Sequence, residues 1–275
     1  MNADRARSVS ALTVRPGGAH ATLRALPEET PVAIVYNGST QAVMMATPDD
    51  LEDFALGFSL SEHVIASPAE IERLEVLDHG KGGIEARIWL SEARAEAVAA
   101  RRRAMAGPVG CGLCGIDSLA EALHPIAPLP DTALRLTAAD VLAADAALRA
   151  AQPLHDQTRA VHAAGLWQPG QGLVMAREDV GRHNALDKLI GALARAGIDA
   201  ATGAVVLTSR VSVEMVQKTA AAGAPILIAA SAPTAHALRL ADEAGLTVAA
   251  LVRDGGFTLF SHPERIETGD AQNVA

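Results

Sequence analysis

Only two of the 275 residues are cysteine, Cys111 and Cys114, so the chain can build neither a disulfide framework nor a four-cysteine metal site. Aromatic residues make up 3% of the sequence, too few to suggest a cofactor stacked between rings. Basic residues are in the minority: 23 Lys and Arg against 32 Asp and Glu give a formal net charge of -9. That balance argues against broad nucleic-acid binding, whose affinity rests on neutralising phosphates. It leaves room for a local cationic pocket. No uncharged apolar run is long enough to span a bilayer, and Met1 to Ser8 lead into no apolar signal segment. A cytoplasmic protein, without nucleic-acid or membrane partners, is expected. The phosphate-loop pattern GxxxxGK[ST] is missing, so ATP hydrolysis is not indicated. No H-x-E precedes the cysteines, as a zinc nucleobase deaminase would need, and no thioredoxin-like βαβ pattern leads into them.

Apolar residues make up 49% of the chain, enough to fill a sizeable core. The cysteines stand in Pro108-Val109-Gly110-Cys111-Gly112-Leu113-Cys114-Gly115, a C-x-x-C bedded in glycine. Three chemistries suit such a pair: dithiol–disulfide exchange, metal ligation and carriage of sulfur as a persulfide. A persulfide carrier needs a thiolate able to attack sulfane sulfur and an uncrowded arm to hand it on. Glycines 110, 112 and 115 permit close approach. Histidines 124, 155, 162 and 183 match no compact ligand spacing, so no tightly held metal is expected.

Along the chain, a loose tail comes first. Pro31 to Tyr36 reads as a strand, Asn37-Gly38 as a tight turn, and Gln41 to Ala46 as the returning strand. Thr47-Pro48-Asp49-Asp50 reads as a capping box opening a helix that carries Leu51, Phe54 and Phe58. Strands follow at Leu74 to Leu77 and Ile84 to Leu90, then a polar helix from Glu92 to Met105 ending in Arg101-Arg102-Arg103. Thr137 to Asp140 is a second capping box, with a helix through about Ala150. Beyond it the pattern alternates. Strands are expected at Gly172–Ala176, Gly203–Thr208, Pro225–Ala230, Thr247–Val252 and Phe257–Phe260, with helices at Asn184–Arg195, Ser212–Ala222 and Thr234–Ala244. This predicts an α/β fold: a mixed sheet with helices on both faces, preceded by a smaller α+β unit. The boundaries fall at residues 10–106 for the small unit, 107–136 for a flexible cysteine loop and connector, and 137–270 for the larger unit.

Three polar clusters sit where strands give way to helices, the places at which α/β folds bind ligands. In Arg177 to Lys188, Arg182 and Lys188 suit phosphate, while His183 and Asn184 could order a polar ligand or serve an internal network. In Thr208 to Glu214, Arg210 and Ser212 suit an anion, although Ser212 could be only a cap. Ser231-Ala232-Pro233-Thr234 occupies the corresponding turn and reads alone as a capped turn.

Taken together these stretches resemble the FdhD family of sulfur carriers that support formate dehydrogenase. The resemblance runs over roughly residues 28–266. It rests on Glu29-Thr30-Pro31, Tyr36-Asn37-Gly38, Thr47 to Phe58, Cys111 to Gly115, Glu178 to Lys188, Arg210 to Glu214 and Ser231 to Thr234. It implies a sulfurtransferase of the persulfide-carrier type. Sulfur would come from a cysteine desulfurase and go to the molybdenum cofactor, as the bis-guanine dinucleotide, before insertion into formate dehydrogenase. By that resemblance Cys111 carries the persulfide and Cys114 supports it. The late cofactor segment falls on Phe257, Thr258, Leu259, Phe260, Ser261 and His262. The resemblance also implies a cytidine-deaminase-like larger domain and a homodimer. The chain departs from the family's T-G-G-x-H-x-A stretch, which here reads Thr158-Arg159-Ala160-Val161-His162-Ala163-Ala164. The serine-glycine-arginine turn reads Thr208-Ser209-Arg210. Two other classes are weighed beside this reading: a dithiol–disulfide oxidoreductase, and a zinc- or nucleotide-binding scaffold without catalysis.

Overall fold

The computed structural model describes residues 5–105 and 126–269. Cys111, Cys114 and most of the expected connector lie outside the described residues.

Residues 1–4, the start of the expected tail, lie outside the described residues; the first element is a hairpin that the sequence did not announce, β1 (Ala6–Arg15) and β2 (Gly18–Pro27), paired from Ala6↔Pro27 to Arg15↔Gly18. The period-two alternation is present in the sequence. It escapes notice because neither face of the hairpin joins a core cluster.

Four strands then form a sheet in the order β4-β3-β6-β5. They are β3 (Thr30–Tyr36), β4 (Ser39–Ala46), β5 (Ile71–Asp78) and β6 (Ile84–Leu90). Asn37 and Gly38 both take positive φ, 47° and 80°, as the β3–β4 turn requires. The helix α1 (Leu51–Ser61) covers one face and buries Phe54 against Val32, Ile34 and Ile88. The expected capping box at its start is absent. Asp50 is the N-cap with φ 52° and no side-chain cap bond. Thr47 instead accepts a hydrogen bond from Val180 N–H, because its groups are drawn into a buried network described below. The polar helix α2 (Glu92–Met105) follows.

The second sheet has six strands in the order β13-β12-β11-β10-β8-β9. They are β8 (His162–Gln168), β9 (Gly172–Asp179), β10 (Ala204–Leu207), β11 (Ile226–Ala229), β12 (Thr247–Arg253) and β13 (Gly256–Ser261). Strands β10, β11 and β12 run parallel, while β8, β9 and β13 pair antiparallel with their neighbours. A short parallel pair, β7 (Leu136–Thr137) with β14 (Ile266–Glu267), stands apart.

Alternation splits the strand residues between two cores. Val205, Leu207, Leu227 and Ala229 face α5 (Arg182–Ala196), α6 (Val213–Ala221) and α7 (Ala235–Glu243), meeting Leu186, Leu189, Met215 and Ala237. Val206, Ile226 and Ile228 face the other way, onto Val141, Ala144 and Leu148 of α3 (Ala138–Ala150). Each fully buried aliphatic side chain contributes about 1.5–3 kcal/mol. The helix α3 does begin with the expected capping box between Thr137 and Asp140. A short helix α4 (Pro153–Thr158) and strand β8 were not foreseen as elements.

The two sheets are joined where α1 crosses α5. A Cβ on Gly57 would overlap the carbonyl of Asp187, and one on Gly191 would overlap that of Asp53. The backbones therefore touch, and only glycine permits it. Two buried ion pairs lie around this crossing, Lys188 with Asp179 at 2.7 Å and Lys218 with Asp187 at 2.9 Å, and beside them half-buried Arg177 pairs with buried Asp53 at 2.7 Å.

Candidate functional site

The carboxyl ends of β10 and β11, the start of β8 and the end of β9 all reach one edge of the six-stranded sheet, because Leu207 pairs with Ala164 and His162 with Asp179. The N-termini of α5, α6 and α7 open at the same edge. Backbone N–H groups and helix dipoles there favour an anion. A cleft of about 430 Å³ lies at this edge. Its walls are Arg149 of α3, Gln152, His155 of α4, the Arg159-to-His162 turn, Thr208 and Ala230. A second hollow of about 400 Å³ lies on the other side of Arg149, bounded by Asp145, Arg253 and Asp254.

The walls are held by bonds that point away from the cleft. Both oxygens of Glu178 accept from the first N–H groups of α4, those of Leu154 and His155, each at 2.8 Å. His155 Nδ1 lies 3.1 Å from the Val161 carbonyl. A carbonyl can only accept, so Nδ1 carries a proton and donates it there. Thr208 Oγ1 accepts from Ala163 N–H at 2.9 Å, fixing the β8–β10 corner. Arg159 ends α4 in the left-handed region at φ 57°. Its guanidinium is 3.5 Å from Asp156 and stays largely in solvent.

Polar atoms at this edge are left for a ligand. Gln152 is 4% exposed, and its Oε1 is buried without a partner, as is Arg182 Nε. Burial holds the His162 imidazole below its ordinary range, and the nearby positive charges of Arg182, His155 and His183 push the same way. The arginines around this edge, Arg149 and Arg182, favour an anionic group there. His183 pairs with Glu214 at 3.8 Å, and this neighbour is the main reason the Glu214 carboxyl is lowered to about 2.

The structure sorts the residues expected from sequence. It brings Arg182, His183, Arg210, Ser212 and Ser231 to the cleft edge of the sheet. Arg210 is exposed, between loops held together by the Val211–Pro233 bridge; Ser212 is the N-cap of α6, and Ser231 is half-buried. Two others from the same cluster turn inward. Lys188 is fully buried, bonded to Asp179 and to the Thr47 carbonyl at 2.9 Å. Asn184 donates to the Met45 carbonyl at 2.8 Å and to Asp179 at 2.9 Å. Both hold the Thr47 segment of the small sheet against α5 rather than facing the cleft. The physical reason is Asp179, a buried carboxylate whose four acceptor positions must be filled.

The late segment divides as well. Its strand starts at Gly256 opposite Arg253 and runs back to Ser261 opposite Val248, so it leads away from the cleft edge. Phe257 packs against the α3-side core, Leu259 is half-buried, and Thr258 and Phe260 are exposed. Ser261 Oγ donates to the Leu246 carbonyl, and His262 Nε2 lies 2.9 Å from the Asp242 carbonyl, both at the opposite end of the sheet. Arg149 and Gln152 carry no mark of a site residue in the sequence, and His155, weighed there only as a metal ligand, stands in the cleft wall. Nothing in a helical Arg149, four residues after its ion-pair partner Asp145, marks it as a wall residue before the fold is known. Among the described residues no cluster of three or more His, Cys, Asp or Glu could hold a metal, and no helix is long and apolar enough to cross a membrane.

Comparison with known proteins agrees with this architecture. The chain is similar to proteins named sulfur carrier protein FdhD from Agrobacterium fabrum (52% identical) and Brucella abortus (53%), each over 260 residues, 94% of this chain and 96% of the relative. Its fold is similar to the crystal structure of a protein described as a formate dehydrogenase accessory protein from Desulfotalea psychrophila, with TM-score 0.76 and 30% identity, covering 95% of this chain and 99% of that one. The FdhD/NarQ family model matches residues 27–267, and the chain belongs to that family.

Proposed function

We propose that this protein is a sulfur carrier. Cys111 accepts sulfane sulfur from a cysteine desulfurase and passes it to the molybdenum cofactor, in its bis-guanine-dinucleotide form, before that cofactor enters formate dehydrogenase. The observation that carries the reading is a lone C-x-x-C in a chain about half identical, over nearly its whole length, to proteins named as sulfur carriers.

In the loading step the Cys111 thiolate attacks the terminal sulfur of the donor's persulfide. The donor's S–S bond breaks, its cysteine leaves as a thiolate, and a new S–S bond forms on Cys111, so no outside oxidant or reductant is needed. Cys114 supports this chemistry as the neighbouring thiol. The cofactor is the substrate. Its phosphates suit the cations around the cleft, Arg149, Arg159 and Arg182, and the open acceptor Gln152 Oε1 suits an N–H of its nucleobase. The six-stranded three-layer body corresponds in this reading to the cytidine-deaminase-like domain, used for binding rather than hydrolysis. A homodimer and a cytoplasmic location belong to the same reading.

Incubation with a cysteine desulfurase and cysteine, followed by intact-mass measurement, tests it. The expected result is a gain of one sulfur atom, removed by cyanide and absent from Cys111→Ser. An unchanged wild-type mass sinks the proposal. Turnover of a disulfide substrate requiring both thiols would make the protein an oxidoreductase instead, and stoichiometric zinc with both thiols protected would make it a scaffold.

A further inference from the structure

We propose that Gln152 is the specificity-determining residue of the cleft: its side-chain oxygen accepts a hydrogen bond from the N–H edge of guanine and so selects guanine over adenine nucleotides. This rests on the reading that the nucleotide part of the cofactor occupies the cleft.

The argument begins with a change of partners at α4. Gln152 is the N-cap of that helix, with Pro153 in its first turn. An N-cap side chain ordinarily accepts from the second or third N–H of its own helix. Gln152 makes no such bond. Those two N–H groups, of Leu154 and His155, are taken by Glu178, which reaches over from the end of β9 to lie 2.8 Å from each. The cap is thus supplied from another element, and the Gln152 amide is released from that duty.

The released amide is buried. Gln152 is 4% exposed and stands in the cleft wall. Its Nε2 donates to the Arg149 carbonyl at 3.4 Å, which leaves Oε1 as the unpaired atom. That bond is long, so a small turn about the soft terminal torsion of the amide brings the oxygen to a ligand at little cost. Among the described residues Oε1 is the one amide oxygen buried without a partner. A buried acceptor in that condition destabilises the fold, whereas an apolar side chain of similar shape would not. The arrangement makes sense if the donor arrives with a ligand.

The neighbouring cations leave the choice of ligand to this one atom. Arg149, Arg159 and Arg182 suit phosphates, which guanine and adenine nucleotides have in common. Only the base differs. Guanine presents its ring N1–H and its amino N–H side by side. On the matching edge adenine presents a ring nitrogen lone pair and a C–H, so Oε1 would meet no donor. A site built to hydrogen-bond a group rejects the analogue that lacks it, because its own polar atom is left unpaired.

Titration calorimetry of the full chain with guanosine diphosphate and with adenosine diphosphate tests this, with urea unfolding in parallel. The wild type should bind the guanine nucleotide about tenfold tighter or more, as expected when a buried acceptor goes unmet. Gln152→Leu should bring the ratio toward one by weakening the guanine nucleotide alone. Its urea midpoint should equal or exceed that of the wild type, because the unpaired acceptor is gone. A merely structural Gln152 would do the reverse, giving a lower midpoint and an unchanged ratio. That result overturns the proposal, and so does a wild type that binds the two nucleotides equally. A wild type that binds neither would instead remove the nucleotide from the cleft, and the inference with it. If Gln152→Leu does not fold, Gln152→Met, unbranched and adaptable, decides by the same ratio.

Discussion

At Arg159 the backbone takes φ 57°, a conformation that costs a non-glycine L-residue about 1–2 kcal/mol. The FdhD pattern has glycine there, and this chain keeps the backbone shape while adding a guanidinium at the cleft mouth. Arg159→Gly should therefore change stability by no more than about 1 kcal/mol, since relief of strain is offset by the freer unfolded chain. It should weaken binding of guanosine diphosphate, the probe for the nucleotide part of the proposed substrate. Urea unfolding and titration calorimetry together check this, and unchanged affinity would take Arg159 out of the site. Glu214 gives a pH prediction. Its folded carboxyl is lowered from 4.5 to about 2, with His183 the chief cause. A depressed carboxylate stabilises the fold above its unfolded value and loses that contribution as pH falls through the folded one. The stability gap between wild type and Glu214→Gln should be full above pH 4.5 and close toward pH 2. Asp187 behaves differently: burial pushes its carboxyl up, and Lys218 and Ser61 only partly offset this. That pair fixes the geometry between α1, α5 and α6 more than it stabilises the fold, in line with the desolvation cost of buried ions.

At the level of elements, the crossing of α1 and α5 positions the cleft edge relative to the small sheet. Gly57→Ala places a methyl group into the Asp187 carbonyl, and no flexible side chain can yield there. The expected loss is about 3 kcal/mol or more in urea unfolding, at the upper end for overpacking. A loss under about 1 kcal/mol would mean that the helices part easily. Neither glycine stands out in the sequence, because a close approach is visible only once both helices are placed. What sequence does reveal is local. The Asn37-Gly38 turn, the Thr137–Asp140 capping box and the β10-to-β13 alternation with its helices each follow from short-range chemistry. Thr47 to Asp50 has the spacing of a capping box, but Thr47 N–H donates to Asp179, its hydroxyl accepts from Val180 N–H and its carbonyl accepts from Lys188, which takes Thr47 away from the helix. Lys188 and Asn184 illustrate the same limit. A polar residue at a strand–helix junction signals a ligand or a buried network equally well, and only burial separates the two. The hairpin is hard to read for the converse reason: its alternation serves no core in its own chain.

Across the whole molecule, the small sheet and the six-stranded body meet where α1 packs against α5. The carboxyl edge of the body's parallel strands gathers Arg149, Arg182, His155 and His162 around one cleft. The chain's net charge of -9 makes that cationic edge a local exception, suited to a phosphate-bearing substrate rather than to polyanions in general. In the proposed function, sulfur borne on Cys111 is delivered to a cofactor carrying nucleotides. Its most direct test loads the protein with isotopically labelled sulfur from labelled cysteine and a desulfurase, removes the donor, and adds the molybdenum bis-guanine-dinucleotide cofactor. The label is predicted to leave Cys111 as the cofactor gains it, with no transfer from Cys111→Ser. Label that stays on the protein in the presence of cofactor, or equal transfer by the Cys111→Ser variant, would show that Cys111 does not deliver the sulfur.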